Sequence, residues 1–146
     1  MKEILKEIRE NGGYIRYDIS LEQLARIKEI ADYKVIRGMV AKATNYDPSR
    51  DETRVIFASI QNSFLKAVSG LNKTQLVSTR DIVTWTGKKG PTKADREIGK
   101  NYLKLDELED LGANVAVVVA HVWRDLRNKT YTMNQFMKVV EASLTK

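Results

Sequence analysis

The sequence contains no cysteine and a single histidine, His121. The first absence excludes a disulfide framework, a thiolate nucleophile and any Cys-ligated zinc or iron–sulfur centre. The second leaves no His-rich metal site and no redundant partners for a histidine-based triad. Proline is scarce, with two in 146 residues, so helices can run far without interruption. The longest strongly apolar stretch, Val115 to Trp123, falls well short of the roughly 20 residues of a membrane-spanning helix. The opening MKEILKEIREN is charged at every second or third position and lacks the apolar core of a secretory signal. The expectation is a soluble, cytoplasmic protein with no membrane partner, no metal and no cofactor.

What is present reads as an all-α fold. A chain of 146 residues can bury one real core but not two, so residues 1–146 are expected to form a single compact domain of about five to seven helices. Lys2 to Glu10 makes a short amphipathic pattern closed by Asn11-Gly12-Gly13, and Tyr14 to Ile19 alternates too briefly to define a strand. Ser20 with Gln23 is a capping-box pattern, and Leu24, Ile27, Ala31, Val35 and Met39 follow it at helical spacing as far as Thr44. Asp47-Pro48 stops that helix, and Ser49 with Glu52 offers a new box.

The next helix has Phe57, Ile60, Phe64, Ala67 and Leu71 on one face and Gly70 at its end. Asn72 to Arg80 reads as a short helix, Thr84 to Pro91 as a loop, and Thr92 as the cap of a helix running to Tyr102. From Leu105 to Leu126 the positions Leu108, Leu111, Val115, Val118 and Val122 step by three and four. The β-branched valines of this stretch favour a strand, but the period runs beyond them and no partner strand is apparent, so the helix is preferred. Thr132 with Gln135 then caps a helix carrying Phe136, Met137, Val140 and Leu144.

The excess positive charge is local. Residues 48–104 carry eleven basic and five acidic residues, a net +6, while residues 1–47 and 105–146 are at +1 and −1. Trp85, Lys88, Lys89, Lys93, Arg96 and Lys100 concentrate in one loop and the helix expected after it. On a continuous helix Arg96, Lys100 and Lys104 would form one basic stripe. A lysine-rich loop beside a tryptophan is the pattern of a phosphate-binding surface; the alternative is an ordinary solvated helix face. Helix-turn-helix, zinc-finger and RNA-binding signatures are absent, and neither glycine pair matches a nucleotide-binding fingerprint.

Other candidates have plainer readings. Asp106, Glu107, Glu109 and Asp110 suit the first turns of a helix, where acids oppose the macrodipole. His121 lies in the most apolar stretch and reads as a core or interface histidine. Gln61 and Asn62 interrupt an apolar helix and could hydrogen-bond across the core.

Several segments carry a resemblance. Tyr46-Asp47-Pro48, Phe57 to Asn62, Ala67 to Gly70, Thr84-Trp85-Thr86-Gly87, Lys93-Ala94-Asp95 and Ile98-Gly99-Lys100-Asn101-Tyr102-Leu103, followed by Glu107-Leu108 and Thr132-Met133, resemble the C-terminal region of the RhuM family of virulence-associated proteins. The resemblance covers Ala41 to Leu144. It implies a helical accessory module, free-standing here, from a phage or mobile element. Family members are longer and begin with a region held to bind DNA that is not matched here, so DNA binding is not carried over. The resemblance implies no catalytic residue. It marks Asp95, Asn101 and Tyr102, together with Trp85, Lys93 and Lys100, as motif positions, either functional or anchoring. Two departures stand out: the stretch from Arg80 to Trp85 is shorter than in the family, and Lys104 stands where the family places a helix-capping Thr.

Three functions follow. The first is a non-enzymatic module contacting DNA, RNA or another macromolecule through Trp85 to Lys104. The second is an inhibitor or toxin–antitoxin-like partner of a host protein, or a homo-oligomer through the Val115–Trp123 helix, whose apolar sides call for burial or a partner. The third is an enzyme in which Asp95, Lys100, Asn101 and Tyr102 converge on one pocket.

Overall fold

Ser20 opens the first helix by accepting a hydrogen bond on Oγ from the Gln23 amide at 3.0 Å. The computed structural model describes residues 20–144, so the patterns read over Lys2–Glu10 and Tyr14–Ile19 lie outside the described residues. Helix α1 spans Leu21–Val40, one turn shorter than expected. The reciprocal half of its capping box is not made, because Gln23 Nε2 donates instead to the carbonyl of Trp85. Its buried residues are Glu29, Tyr33, Ile36 and Val40. The face expected to be buried is instead turned outward, with Leu24, Ile27 and Val35 exposed. Both faces of α1 carry apolar residues at helical spacing, and the interior takes the one with Tyr33, Ile36 and Val40, where the Glu29 carboxylate is paired with Arg26 and Lys100.

Helix α2, Asp51–Ser69, starts without a side-chain cap. The expected Ser49–Glu52 box fails because Asp47 captures Ser49: its Oδ1 accepts from the Ser49 amide at 2.9 Å and the Ser49 hydroxyl at 2.7 Å. Ile60, Phe64 and Leu65 enter the core, while Phe57 and Leu71 are half-buried at its edge. Gly70 ends the helix at φ 76°, a left-handed value that favours glycine. Helix α3, Lys73–Thr79, has a complete Asn72–Gln75 box. Asn62, expected to bond across the core, reaches from α2 to accept from the Lys73 amide at 3.0 Å.

Helix α4 covers Leu105–Leu126, and its buried residues are Leu108, Leu111, Val115, Val118 and Val122, the positions given by the three-four spacing. It packs against α1, α2 and α5 and forms the centre of the core. Helix α5, Met133–Leu144, begins with both halves of the Thr132–Gln135 box, at 3.2 and 2.8 Å. The α4–α5 turn is tied back to α1 by Tyr131, whose hydroxyl donates to the Met39 carbonyl at 2.5 Å. The architecture is all-α: five α-helices and two short 3-10 turns among the described residues. No helix among them is long and apolar enough to cross a membrane.

Between α3 and α4 the expected helix from Thr92 to Tyr102 is absent. Two 3-10 turns replace it, Asp95–Glu97 and Gly99–Tyr102, separated by Ile98 in extended conformation at φ −99°, ψ 112°. Side chains here bond to nearby backbone and offer the chain alternatives to the helical ladder. Arg96, Lys100 and Lys104 therefore form no stripe.

Candidate functional site

Asp95 organises the loop that precedes it. Its Oδ1 accepts from the Thr86 hydroxyl at 2.8 Å and the Thr86 amide at 3.2 Å; its Oδ2 accepts from the amides of Thr92 at 3.0 Å and Gly87 at 3.2 Å. The Asp95 amide returns a bond to Thr92 Oγ1 at 3.0 Å. Hydrogen bonds from Thr92 and Thr86 hold this carboxyl far below the usual carboxylate range, against the opposing effect of burial. Gly87 lets the loop close, since a Cβ there would collide with the Gly90 carbonyl oxygen. Gly90 turns the chain at φ 122°.

Asn101 joins this loop to α1. Its Oδ1 accepts from Thr84 Oγ1 at 3.0 Å and from Arg26 Nε at 3.1 Å, and its Nδ2 donates to the Asp95 carbonyl at 3.0 Å. The Asn101 carbonyl also takes the amides of Val83 and Thr84, at 2.7 and 3.1 Å. The Tyr102 hydroxyl donates to the Arg96 carbonyl at 2.7 Å.

Lys100 lies inside the molecule, 5% exposed. Its Nζ donates to Glu29 Oε2 at 2.5 Å and stands 3.7 Å from the centroid of the Tyr33 ring. Glu29, 1% exposed, takes Arg26 Nη1 on its other oxygen at 2.7 Å. Burial pushes the Lys100 ammonium down to about 8, with Glu29 pulling the other way. Burial also raises the Tyr33 phenol well above its ordinary value.

A cleft of about 490 Å³ opens beside this buried pair, between α1, α2 and the Gly99–Tyr102 turn. Lys100 and Glu29 reach its wall, whereas Asp95, Asn101 and Tyr102 do not line it. The convergence that an enzyme built on Asp95, Lys100, Asn101 and Tyr102 requires is therefore not made.

The model of the virulence protein RhuM family matches residues 2–146. The chain belongs to the RhuM family. The match is wider than the Ala41–Leu144 stretch carried by the motifs, reaching almost to the first residue. No curated protein matches the chain, and no solved structure does.

Of the motif positions, Thr84, Thr86, Gly87, Asp95, Asn101 and Tyr102 make the contacts that fold the loop and fix it to α1. Lys93, a motif position, projects outward together with the non-motif cations Lys88, Lys89 and Arg96, all exposed and in no ion pair found among the described residues. Trp85 is half-buried beside them. Of the six residues singled out from the sequence for phosphate contact, Lys100 alone is turned inward, onto Glu29 and Tyr33, where phosphate on the outer surface cannot meet it.

At the start of α4, Lys104 has no side-chain acceptor to offer, and the helix begins with the other half of a box: Glu107 Oε1 accepts from the Lys104 amide at 2.9 Å. Glu107 also takes both guanidinium nitrogens of Arg80, at 2.6 and 3.0 Å. That pairing with Arg80 holds the Glu107 carboxyl below its usual range. The acidic cluster thus serves the helix start, and no group of three or more potential metal ligands occurs among the described residues. His121 Nδ1 lies 2.8 Å from Ser143 Oγ. The Ser143 hydroxyl also lies 2.7 Å from the Val139 carbonyl, a backbone acceptor that competes with His121 for its single hydrogen.

Sequence reasoning missed Arg26, Glu29 and Tyr33, which lie against the motif in space, and read Gln23 as a cap partner without its contact to Trp85. The local signal for the first three was their three- and four-residue spacing on one helix face.

Proposed function

We propose that this RhuM-family chain is a non-enzymatic binding module that meets the phosphates of a nucleic acid through Lys88, Lys89, Lys93 and Arg96. One observation carries the reading: four exposed cations stand on a loop whose shape is set by the buried Asp95 carboxylate. A pre-shaped loop loses less conformational freedom on binding than a floppy one, so each cation contributes more. Trp85, half-buried at the base of the loop, offers an aromatic edge beside the charges. The proposed compartment is the cytoplasm.

Titration of the protein with DNA and RNA oligomers across a salt series tests this. Affinity is expected to fall steeply with salt, and each of Lys88→Ala, Lys89→Ala, Lys93→Ala and Arg96→Ala should lower the slope of log K against log salt by about one. Absence of binding even at low salt overturns the reading. Lys100 is left out of the set because its side chain is interior.

A second reading, interaction with a protein partner or a second copy, is favoured by the outer surface of α1 and α4. Val35, Val117 and Trp123 are exposed there at 48%, 41% and 58%, beside a shallow groove lined by Val35, Val119, Ala120 and Trp123. Light scattering that finds only monomer, with Trp123→Ser behaving as the parent does, counts against the homo-oligomer.

A further inference from the structure

We propose that the cleft between α1, α2 and the Gly99–Tyr102 turn binds a small phosphomonoester that carries an apolar or aromatic body. This site is separate from the lysine loop and adds a second ligand class to the chain.

Charge is the first argument. Five cations line the cleft, Arg26, Lys34, Arg37, Lys73 and Lys100, against the two carboxylates Glu29 and Glu97. Glu29 is fully occupied, one oxygen on Arg26 and the other on Lys100. Lys34, Arg37 and Lys73 are exposed and belong to no ion pair found among the described residues. The wall therefore carries a surplus of three positive charges, more than a monocarboxylate neutralises and suited to a phosphate dianion.

The second argument is the remaining lining. Ile30 and Ile98 are each 38% exposed in the cleft, and Leu65, Ala58 and the Tyr33 ring add further apolar surface. A pocket of about 490 Å³ is in the range that holds a small organic ligand.

The third argument is an orphan polar group in the wall. Tyr33 is 95% buried, 5% exposed, and its Oη has no hydrogen-bond partner. A buried hydroxyl left unpaired is costly, and a small shift of the ring on ligand entry would give it an acceptor. Gly99 lets the turn approach close enough to form the wall, since a Cβ there would lie 2.9 Å from Leu65 Cδ1 and 3.3 Å from Lys73 Cα.

Phenyl phosphate, inorganic phosphate and phenylacetate, each titrated to millimolar concentration against the 15N-labelled chain, provide the test. Phenyl phosphate should shift the amide resonances of Tyr33, Gln61 and Gly99, with inorganic phosphate weaker at the same positions. Arg37→Ala and Lys73→Ala, both at exposed positions, should each weaken phenyl phosphate by about tenfold, while Lys88→Ala/Lys89→Ala should leave it unchanged. Circular dichroism establishes that each variant is folded, and either cleft variant alone suffices. The proposal is overturned if phenylacetate binds as tightly as phenyl phosphate. It is equally overturned if the shifts map to the Lys88–Lys93 loop, if they survive both cleft variants, or if none occur.

Discussion

Lys100 Nζ donates to Glu29 Oε2 at 2.5 Å from a position 3.7 Å over the Tyr33 ring. The two residues are 71 positions apart and almost wholly enclosed, so the ion pair joins α1 to the motif turn. A buried ion pair is compensated only while both members are present. Removing one leaves a charge that the interior cannot solvate.

Glu29→Gln should accordingly cost about 3–5 kcal/mol of stability, since it strands the Lys100 ammonium beside Arg26. Lys100→Met should cost less, because Glu29 keeps Arg26 at 2.7 Å. In the double variant the two losses should not add. Urea denaturation of the four proteins measures the coupling, and simple additivity would show that the pair is not coupled.

Asp95→Asn should loosen the loop without unfolding the helices. The amide group keeps one acceptor oxygen, but its NH₂ cannot accept from the Gly87 and Thr92 amides. Faster exchange of the Thr86, Gly87 and Thr92 amides is the expected readout, with the helical dichroism unchanged.

The same carboxylate predicts an acid transition. Its value in the folded chain is depressed by the Thr92 and Thr86 bonds, so its stabilising effect is complete above the ordinary Asp value of about 4 and is lost as pH falls below it. Trp85 fluorescence followed downward in pH, in a Trp123→Phe background, should report the loop opening. The transition should be absent from Asp95→Asn.

Gly87→Ala should open the loop as well, by the collision of its Cβ with the Gly90 carbonyl. If Lys88, Lys89 and Lys93 act on phosphate because they are held in place, this variant should weaken nucleic-acid binding while retaining every cation. Undiminished affinity would show that net charge alone suffices.

Leu111→Ala removes a fully buried side chain in the first third of α4 and should cost about 2–5 kcal/mol. Thermal denaturation is the direct measurement.

How much was legible depends on how local each signal is. The five buried positions of α4 were readable because one stripe of that helix is apolar and a single spacing identifies it. Gly70 and the Thr132–Gln135 box were readable because a helix end is set by residues within one turn of it, whereas the Asn72–Gln75 box emerged only in the structure. The buried face of α1 was misread. Leu24, Ile27 and Val35 mark one apolar face, yet the buried one carries Tyr33, Ile36 and Val40 with Glu29, whose charge is tolerated there because Arg26 and Lys100 pair with it. The basic stripe was misread for a related reason, since the segment from Thr92 to Tyr102 bonds to its own side chains and does not form a continuous helix.

Read alone, the chain specified its helical class, the stop at Gly70, the buried stripe of α4 and the lysine-rich loop, all of which rest on neighbours within a turn or two. Tertiary structure alone decided which of the motif residues face water. Asp95, Lys100 and Asn101 are polar by composition, but they became a buried fastening when the chain brought Arg26 and Glu29 of α1 against them across some seventy residues. Burial of a charge depends on a partner's position in space, and nothing in the spacing of one helix specifies it.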